Sequence, residues 1–261
     1  IAWEKAGIMK RNVPCVIGQV EQKALQVFKT RAQKSKVPLY MLGKDFKVEF
    51  NGEEWNYNGK RKFKGLVLSL KGFYQGNNLA CALKTLEILE EKAFFKLDDG
   101  ILKKALQKIK HPGRYEKIFQ NGKEILMDSA HNPQGAKALA VSLEREKFVD
   151  VILIMGVSNA DERKPFSKML EPFLPLASKI FLCEFPSPRK IVSLKEWEEA
   201  ISKSPTLQKF QDKIKLISHP KNAYIQALKE TGRKILITGS IYFIAWFLEF
   251  FKNGQKGSSL E

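Results

Sequence analysis

The sequence predicts an α/β protein whose second half is a mostly parallel sheet covered by helices, and three observations carry that prediction. First, β-rich and helical segments alternate four times: 151–155 with 164–170, 179–183 with 195–203, 214–217 with 223–230, and 235–238 with 241–251. Second, residues 124–133 read Glu-Ile-Leu-Met-Asp-Ser-Ala-His-Asn-Pro, so a short apolar strand runs straight into Asp128, Ser129, His131 and Asn132. Pro133 suits the first helical position, Asn132 suits the cap, and Ala136, Leu139, Ala140 and Leu143 mark the buried face. A strand, a polar loop and a helix start are the arrangement that places ligands at the carboxyl ends of strands in open α/β sheets. Third, between 38 and 70 the apolar period shortens to two, with turn signals at Asn51-Gly52 and Asn58-Gly59, which predicts antiparallel hairpins.

Taken in order, residues 1–9 read as the end of a helix, with Ile1, Lys5 and Ile8 at near-helical spacing and Gly7 at its close. A short strand over 13–17 and an amphipathic helix over 21–34, with Leu25, Phe28 and Ala32 on one side, form a β-α unit. After the hairpins comes a Gly, Asn and Gln-rich loop at 72–78, and a helix is expected to begin near Asn78, with Leu79, Leu83, Leu86 and Leu89 on its apolar face. A helix over 98–109 has acidic residues at its start and basic ones at its end, matching the macrodipole. His111-Pro112-Gly113 interrupts the pattern and is the expected domain boundary. Strands at 114–119 and 124–127 flank Asn121-Gly122 as a hairpin. The helix at 164–170 is expected to close at Pro172, and the last helix, apolar nearly all round, to be buried. Residues 254–261 read as a tail, with a cloning remnant from 257.

With 261 residues, 44% of them hydrophobic, the chain has room for two domains with real cores. The three cysteines, Cys15, Cys81 and Cys183, show neither paired nor metal-ligand spacing, which fits a reducing, cytoplasmic compartment. Thr238, Gly239, Ser240 and Glu249 interrupt the most apolar run, so no membrane span is expected. A net charge of +17 raises a polyanion partner, and the densest basic cluster, Lys60, Arg61, Lys62 and Lys64, lies near Trp55, Tyr57 and Phe63. A strand edge guarded by charge explains that cluster more simply. The chain starts at Ile1 inside a helix-like pattern, so a trimmed chain is expected.

Five islands, in order, resemble the folylpolyglutamate synthase and dihydrofolate synthase family, relatives of the Mur ligases: Ile-Ala-Trp-Glu-Lys-Ala-Gly-Ile at 1–8, Gly-Phe-Tyr-Gln-Gly-Asn-Asn at 72–78, Pro-Gly-Arg-Tyr-Glu at 112–116, Asp-Ser-Ala-His-Asn-Pro at 128–133 and Thr-Gly-Ser-Ile-Tyr at 238–242. The resemblance implies the C-terminal portion of a Mur-ligase-type ATP-binding domain over 1–111, then a Rossmann-like C-terminal domain over 112–261 that binds nucleotide and glutamate. It implies an ATP-dependent carbon–nitrogen ligase that phosphorylates a folate or dihydropteroate carboxylate and joins it to L-glutamate, with ATP and Mg2+ required. In such chemistry metal ions and cations must offset the charge of two approaching anions, and water must be kept from the acyl phosphate, which a closing cleft achieves.

The same resemblance assigns roles. Lys5 matches the lysine that is carbamylated to support a second magnesium ion, and partial burial would favour the neutral amine that carbamylation needs. Asn78 matches the adenine-side asparagine, although by itself it reads as a helix cap. Arg114 matches the hinge arginine that reaches the nucleotide phosphates. Asp128 and His131 match residues that hold the ribose and nucleotide, with Asn132 alongside, and His131 stands with Lys5 as a catalytic candidate. Ser240 could hold the carboxylate of glutamate or cap the last helix.

Departures from the family pattern are equally specific. No Gly-x-x-x-x-Gly-Lys-[Ser/Thr] loop occurs, Tyr74 stands where the family usually has histidine, and 157–162 lacks the Asp-Lys-Asp of many members. In the family the phosphate loop, two metal ligands and the pteridine site belong to a part that would precede Ile1, so this chain alone is not expected to catalyse. The competing expectations are a Mur-type peptidoglycan precursor ligase and a basic nucleic-acid-binding module on a ligase-like scaffold. The working expectation is a monomer acting on small molecules, without a nucleic-acid or membrane partner.

Overall fold

The computed structural model describes residues 2–158 and 166–257, with the side chains of 254–257 left aside. The chain divides into two compact units, one of Ile1–Leu70 with Tyr74–Lys110 and one of Lys71–Phe73 with His111–Glu261.

The first unit opens with helix α1 (Ala2–Ala6), strand β1 (Cys15–Ile17), helix α2 (Gln22–Lys34) and strand β2 (Leu39–Met41). Strand β2 pairs parallel with β1, Cys15 facing Leu39. This corrects the expectation that the stretch 38–70 forms antiparallel hairpins from its start. Helix α2 carries the chain back along β1, so the next strand must run the same way. Ala6, Met9, Ile17, Ala32 and Val37 form the shared core of that β-α-β unit. The antiparallel part is the sheet of β3 (Lys47–Phe50), β4 (Trp55–Asn58) and β5 (Lys62–Leu66), with turns where the two Asn-Gly pairs stand. Asn51 holds the first turn by accepting from the amides of Glu53 (3.0 Å) and Glu54 (2.8 Å). Helices α3 (Gln75–Glu91) and α4 (Asp99–Leu106) follow, the latter capped by Asp98, which accepts from Ile101 N at 2.8 Å.

The second unit contains β6 (Glu116–Gln120), β7 (Lys123–Asp128), α5 (Pro133–Arg145), β8 (Val151–Met155), β9 (Ala177–Cys183), α6 (Leu194–Lys203), α7 (Pro205–Gln208), β10 (Ile214–Ile217), α8 (Pro220–Lys229), β11 (Lys234–Thr238) and α9 (Ile241–Gly257). Asn121 (φ 51°) and Gly122 (φ 72°) both take the left-handed region, the backbone that a two-residue hairpin requires between β6 and β7. The strand order is β10-β9-β8-β11-β7-β6, all parallel except β6.

Strand order explains how the faces are covered. From β7 through β8 and β9 to β10 the chain steps in one direction, then returns to place β11 between β8 and β7. Right-handed crossovers put the connections of the outward steps on one face and α8, on the return, on the other. Accordingly Ala223, Tyr224 and Ala227 of α8 and Phe243, Ile244, Phe247 and Phe251 of α9 share a core with Ile125, Met127, Ile152, Ile154, Ile235 and Ile237 of the strands.

Three expectations need correction here. The helix at 164–170 is replaced, where described, by two 3-10 turns, Phe166–Met169 and Glu171–Phe173; Lys164 and Pro165 lie outside the described residues. Pro172 lies in the first positions of the second turn, after Glu171, rather than closing a helix, and there its missing N–H costs nothing. Helix α9 is not buried all round: only one face meets the sheet, Ile241 is 49% exposed, and Trp246 and Phe250 stack part-buried with centroids 5.2 Å apart. The expected tail is helical to Gly257, and 258–261 lie outside the described residues. Among the described residues no helix is long and apolar enough to cross a membrane.

Candidate functional site

The polar loop after β7 is built around one buried carboxylate. Asp128 is 2% exposed, and its two oxygens accept backbone amides from opposite sides: Oδ2 from Tyr115 N and Oδ1 from Ala130 N, each at 2.9 Å. Tyr115 precedes β6 and Ala130 follows β7, so Asp128 ties the entry of the hairpin to its exit. Ser129 N donates to Gly113 O at 2.9 Å and Gly113 N donates to Glu116 Oε2 at 2.7 Å, closing the same ring of contacts. Tyr115 is held at φ 51°, an uncommon conformation for an aromatic residue, with its ring buried. Burial raises the Tyr115 phenol far above its ordinary value, and Glu146 and Asp128 add to the effect. Gly113, at φ 68°, cannot take a side chain because a Cβ there would meet Ile244 Cγ2.

This staple displays its neighbours. Arg114 lies one residue before Tyr115, part-exposed, and its side chain makes no hydrogen bond or ion pair among the described residues. His131 lies one residue after Ala130, exposed, with Nδ1 3.0 Å from Ser129 O. Asn132 caps α5 as expected, its Oδ1 accepting from Gly135 N at 2.8 Å. Arg114, His131 and the start of α5 thus each adjoin a residue held at the end of β7, and a guanidinium, an imidazole and a helix start are groups suited to an anion.

Ser240 belongs to the same strand-end region, because Thr238 stands opposite Asp128 on one side and Met155 on the other. Its Oγ accepts from Tyr242 N at 3.2 Å, its carbonyl accepts from Ile244 N at 3.0 Å, and the residue is 1% exposed. The cap is therefore present. Gly239, at φ 118°, lets β11 pass close to β8: a Cβ on it would lie 2.5 Å from Gly156 O. Strand β11 leaves toward α9 on one face while β7 and β8 leave toward the other, which is the topological switch where open α/β sheets bind ligands.

In the first unit the candidates are less held. Lys5 is exposed on α1, whose buried residue is Ala6, so the partial burial that would favour its neutral amine is absent: the apolar core draws in Ala6 and leaves its neighbour outside. Asn78 is not a cap, because α3 already begins at Gln75; its Nδ2 donates to Gln75 Oε1 at 2.8 Å from an exposed position. The basic cluster at 60–64 does not form a stacking platform. Trp55, Tyr57 and Phe63 are 9%, 2% and 2% exposed. Arg61 pairs with Glu90 (3.1 Å) and Asp99 and donates to Leu97 O (2.9 Å), and Lys60 pairs with Glu91 (3.2 Å).

Sequence reasoning missed Gly113 and Tyr115 as residues that build this region. The Pro112-Gly113 pair signalled a turn, but nothing local marks the acceptor of the Tyr115 amide.

Comparison with known proteins places this geometry. The family described as "Dihydrofolate synthetase, C-terminal domain" matches residues 107–250. The chain is 30% identical to the dihydrofolate synthase/folylpolyglutamate synthase of Bacillus subtilis over 94% of its own length and 56% of that protein. It is 29% identical to a probable dihydrofolate synthetase of Schizosaccharomyces pombe, over 97% of this chain and 61% of that one. Among solved structures, the folylpolyglutamate synthase of Thermotoga maritima superposes with a TM-score of 0.69 at 30% identity, covering 97% of this chain and 57% of that one. The Mycobacterium tuberculosis folylpolyglutamate synthase complexed with ADP shares the fold, with a TM-score of 0.79 at 22% identity over 96% of this chain and 58% of that one. The chain thus spans little more than half the length of these relatives.

Proposed function

The chain belongs to the dihydrofolate synthetase family, and from that premise we propose that it is part of an ATP-dependent amide ligase that joins L-glutamate to a folate or to dihydropteroate. The single observation that carries this reading is the Asp128 staple, which fixes Arg114 and His131 by the amides next to them. In the proposed reaction the acceptor carboxylate takes the γ-phosphoryl group of ATP, and the amine of glutamate then displaces phosphate from the acyl phosphate.

Residues of this chain divide that work. Arg114 neutralises nucleotide phosphate charge with a guanidinium that has no partner to give up among the described residues. His131 and Asn132 line the nucleotide side of the α5 start, and Asp128 positions them, meeting a ribose hydroxyl only at its rim because it is 2% exposed. Asn78 serves the adenine edge with an amide that both donates and accepts. The start of α9, where Ser240 stands, serves the glutamate carboxylate. In this reading residues 1–111 complete the ATP-binding domain and 112–261 form the domain that binds nucleotide and glutamate.

Magnesium fits this chain only in part. Among the described residues no three His, Cys, Asp or Glu side chains converge as a metal site. The ion would arrive with the nucleotide, where it screens phosphate charge, and Lys5, once carbamylated, is the ligand this chain would add. Lys5 earns that role from its place in the Glu4–Ile8 island rather than from burial. A monomeric, cytoplasmic enzyme completes the proposal, in keeping with free cysteines at Cys15, Cys81 and Cys183.

The test is ADP release by the full-length protein in the presence of ATP, Mg2+ and each acceptor. Release that requires both a folate or dihydropteroate and L-glutamate supports the proposal. Release that requires a nucleotide-linked peptide instead, or tight oligonucleotide binding that salt abolishes, overturns it.

A further inference from the structure

The strand-end region holds a second hydroxyl beside Ser240. Ser158 follows β8, and its Oγ lies 2.7 Å from Ser240 Oγ. Ser240 is 1% exposed and already accepts a hydrogen bond from Tyr242 N. A hydroxyl has one proton, and burying that proton without an acceptor is costly. Among the described residues Ser158 Oγ is the acceptor that lies in reach, so Ser240 donates to Ser158. The proton of Ser158, a part-exposed residue, is then left to donate outward.

The donors therefore run head to tail, from the Tyr242 amide to the Ser240 hydroxyl to the Ser158 hydroxyl. Each bond polarises the next, and the series begins at the positive end of a 17-residue helix. Among the described residues Thr238 Oγ1, fully buried at the same strand end, has no hydrogen-bond partner, so this region holds more polar capacity than those residues use.

We propose that Ser158 is the residue that donates to a carboxylate of the incoming glutamate, and that Ser240, buried behind it, is its positioning residue. This inference rests on the reading of the protein as a glutamate ligase. It explains how a serine with 1% exposure can influence a ligand it scarcely reaches.

Steady-state kinetics of the full-length protein test it. Ser158→Ala raises KM for L-glutamate about tenfold, the size of one lost hydrogen bond to a charged group, while KM for ATP stays within about twofold. Ser158→Thr keeps the hydroxyl and stays within about threefold of the parent value for glutamate, which separates lost donation from lost folding. Ser240→Ala has a smaller effect on KM for glutamate than Ser158→Ala, and the double variant is no worse than Ser158→Ala alone, because the two act in series. A glutamate KM unchanged within about twofold in Ser158→Ala, a parallel rise for ATP, or a larger loss in Ser240→Ala overturns the assignment. Failure of the parent protein to release ADP with glutamate strikes the functional reading itself, and is visible before any variant is made.

Discussion

The two units hold their candidate residues in opposite ways. In the second, Asp128 accepts two backbone amides, Asn132 and Ser240 each cap a helix, and the residues to be presented sit beside these fixed points. In the first, Lys5 and Asn78 project from exposed helix surface, and ion pairs lie elsewhere, among them those that join Arg61 to Glu90 and Asp99 and Lys84 to Glu87. Under the proposed function, preorganisation toward a ligand is thus a property of the second unit. The first spends its polar contacts on holding hairpin and helices together.

The contrast can be broken most directly at its centre. Asp128→Ala leaves two buried amides without acceptors and is expected to cost about 3 kcal/mol, read as a fall in the urea midpoint; Asp128→Asn, which keeps one acceptor, costs about half. Equal stability of all three proteins would show that the staple fixes nothing. Arg114→Ala sharpens the contrast from the other side. A guanidinium kept for a ligand should contribute little to folding, so stability stays within about 0.5 kcal/mol while ATP affinity by calorimetry falls about thirtyfold, or about 2 kcal/mol.

Smaller effects separate caps from surface amides. Asn132→Ala removes the α5 cap and is expected to cost about 1 kcal/mol, whereas Asn78→Ala, which removes no cap, costs less than about 0.5 kcal/mol in thermal unfolding. Similar losses at both positions would erase the distinction. The least effect is expected from pH. The Glu90 carboxyl is held below its ordinary value of 4.5, first by the Leu97 amide that donates to it at 2.7 Å and then by Arg61. The unfolded chain therefore takes up that proton first, and the contribution of Glu90 is lost as the pH falls from about 4.5 through the depressed folded value. In Glu90→Gln the acid limb of the stability profile should be flatter, because the contribution of the carboxylate is already missing in the neutral range.

Much of the second unit was legible because its signals are local. Asn121-Gly122 named its own turn, Asn132-Pro133 named a capped helix start, and the strand and helix alternation named a parallel sheet. The candidate residues at 128–132 were legible for the same reason, as polar side chains where a strand stops. In the first unit the period-two pattern around 38–42 could not reveal that β2 pairs with β1, since that partner lies across a helix. Nor could it show that Trp55, Tyr57 and Phe63 turn inward while Arg61 and Lys60 find acidic partners on α3 and α4.

What the amino-acid sequence determined by itself was the set of elements, the motif islands and the place where polar groups cluster, because caps, turns and apolar periods act over a few neighbouring residues. Tertiary structure alone decided which of those groups are spent inside the protein and which are presented outward. The Asp128 carboxylate takes up the Tyr115 amide 13 residues away, and Ser158 meets Ser240 across 82 residues. Such pairs exist only once the sheet has closed, and burial then dictates where each proton must go.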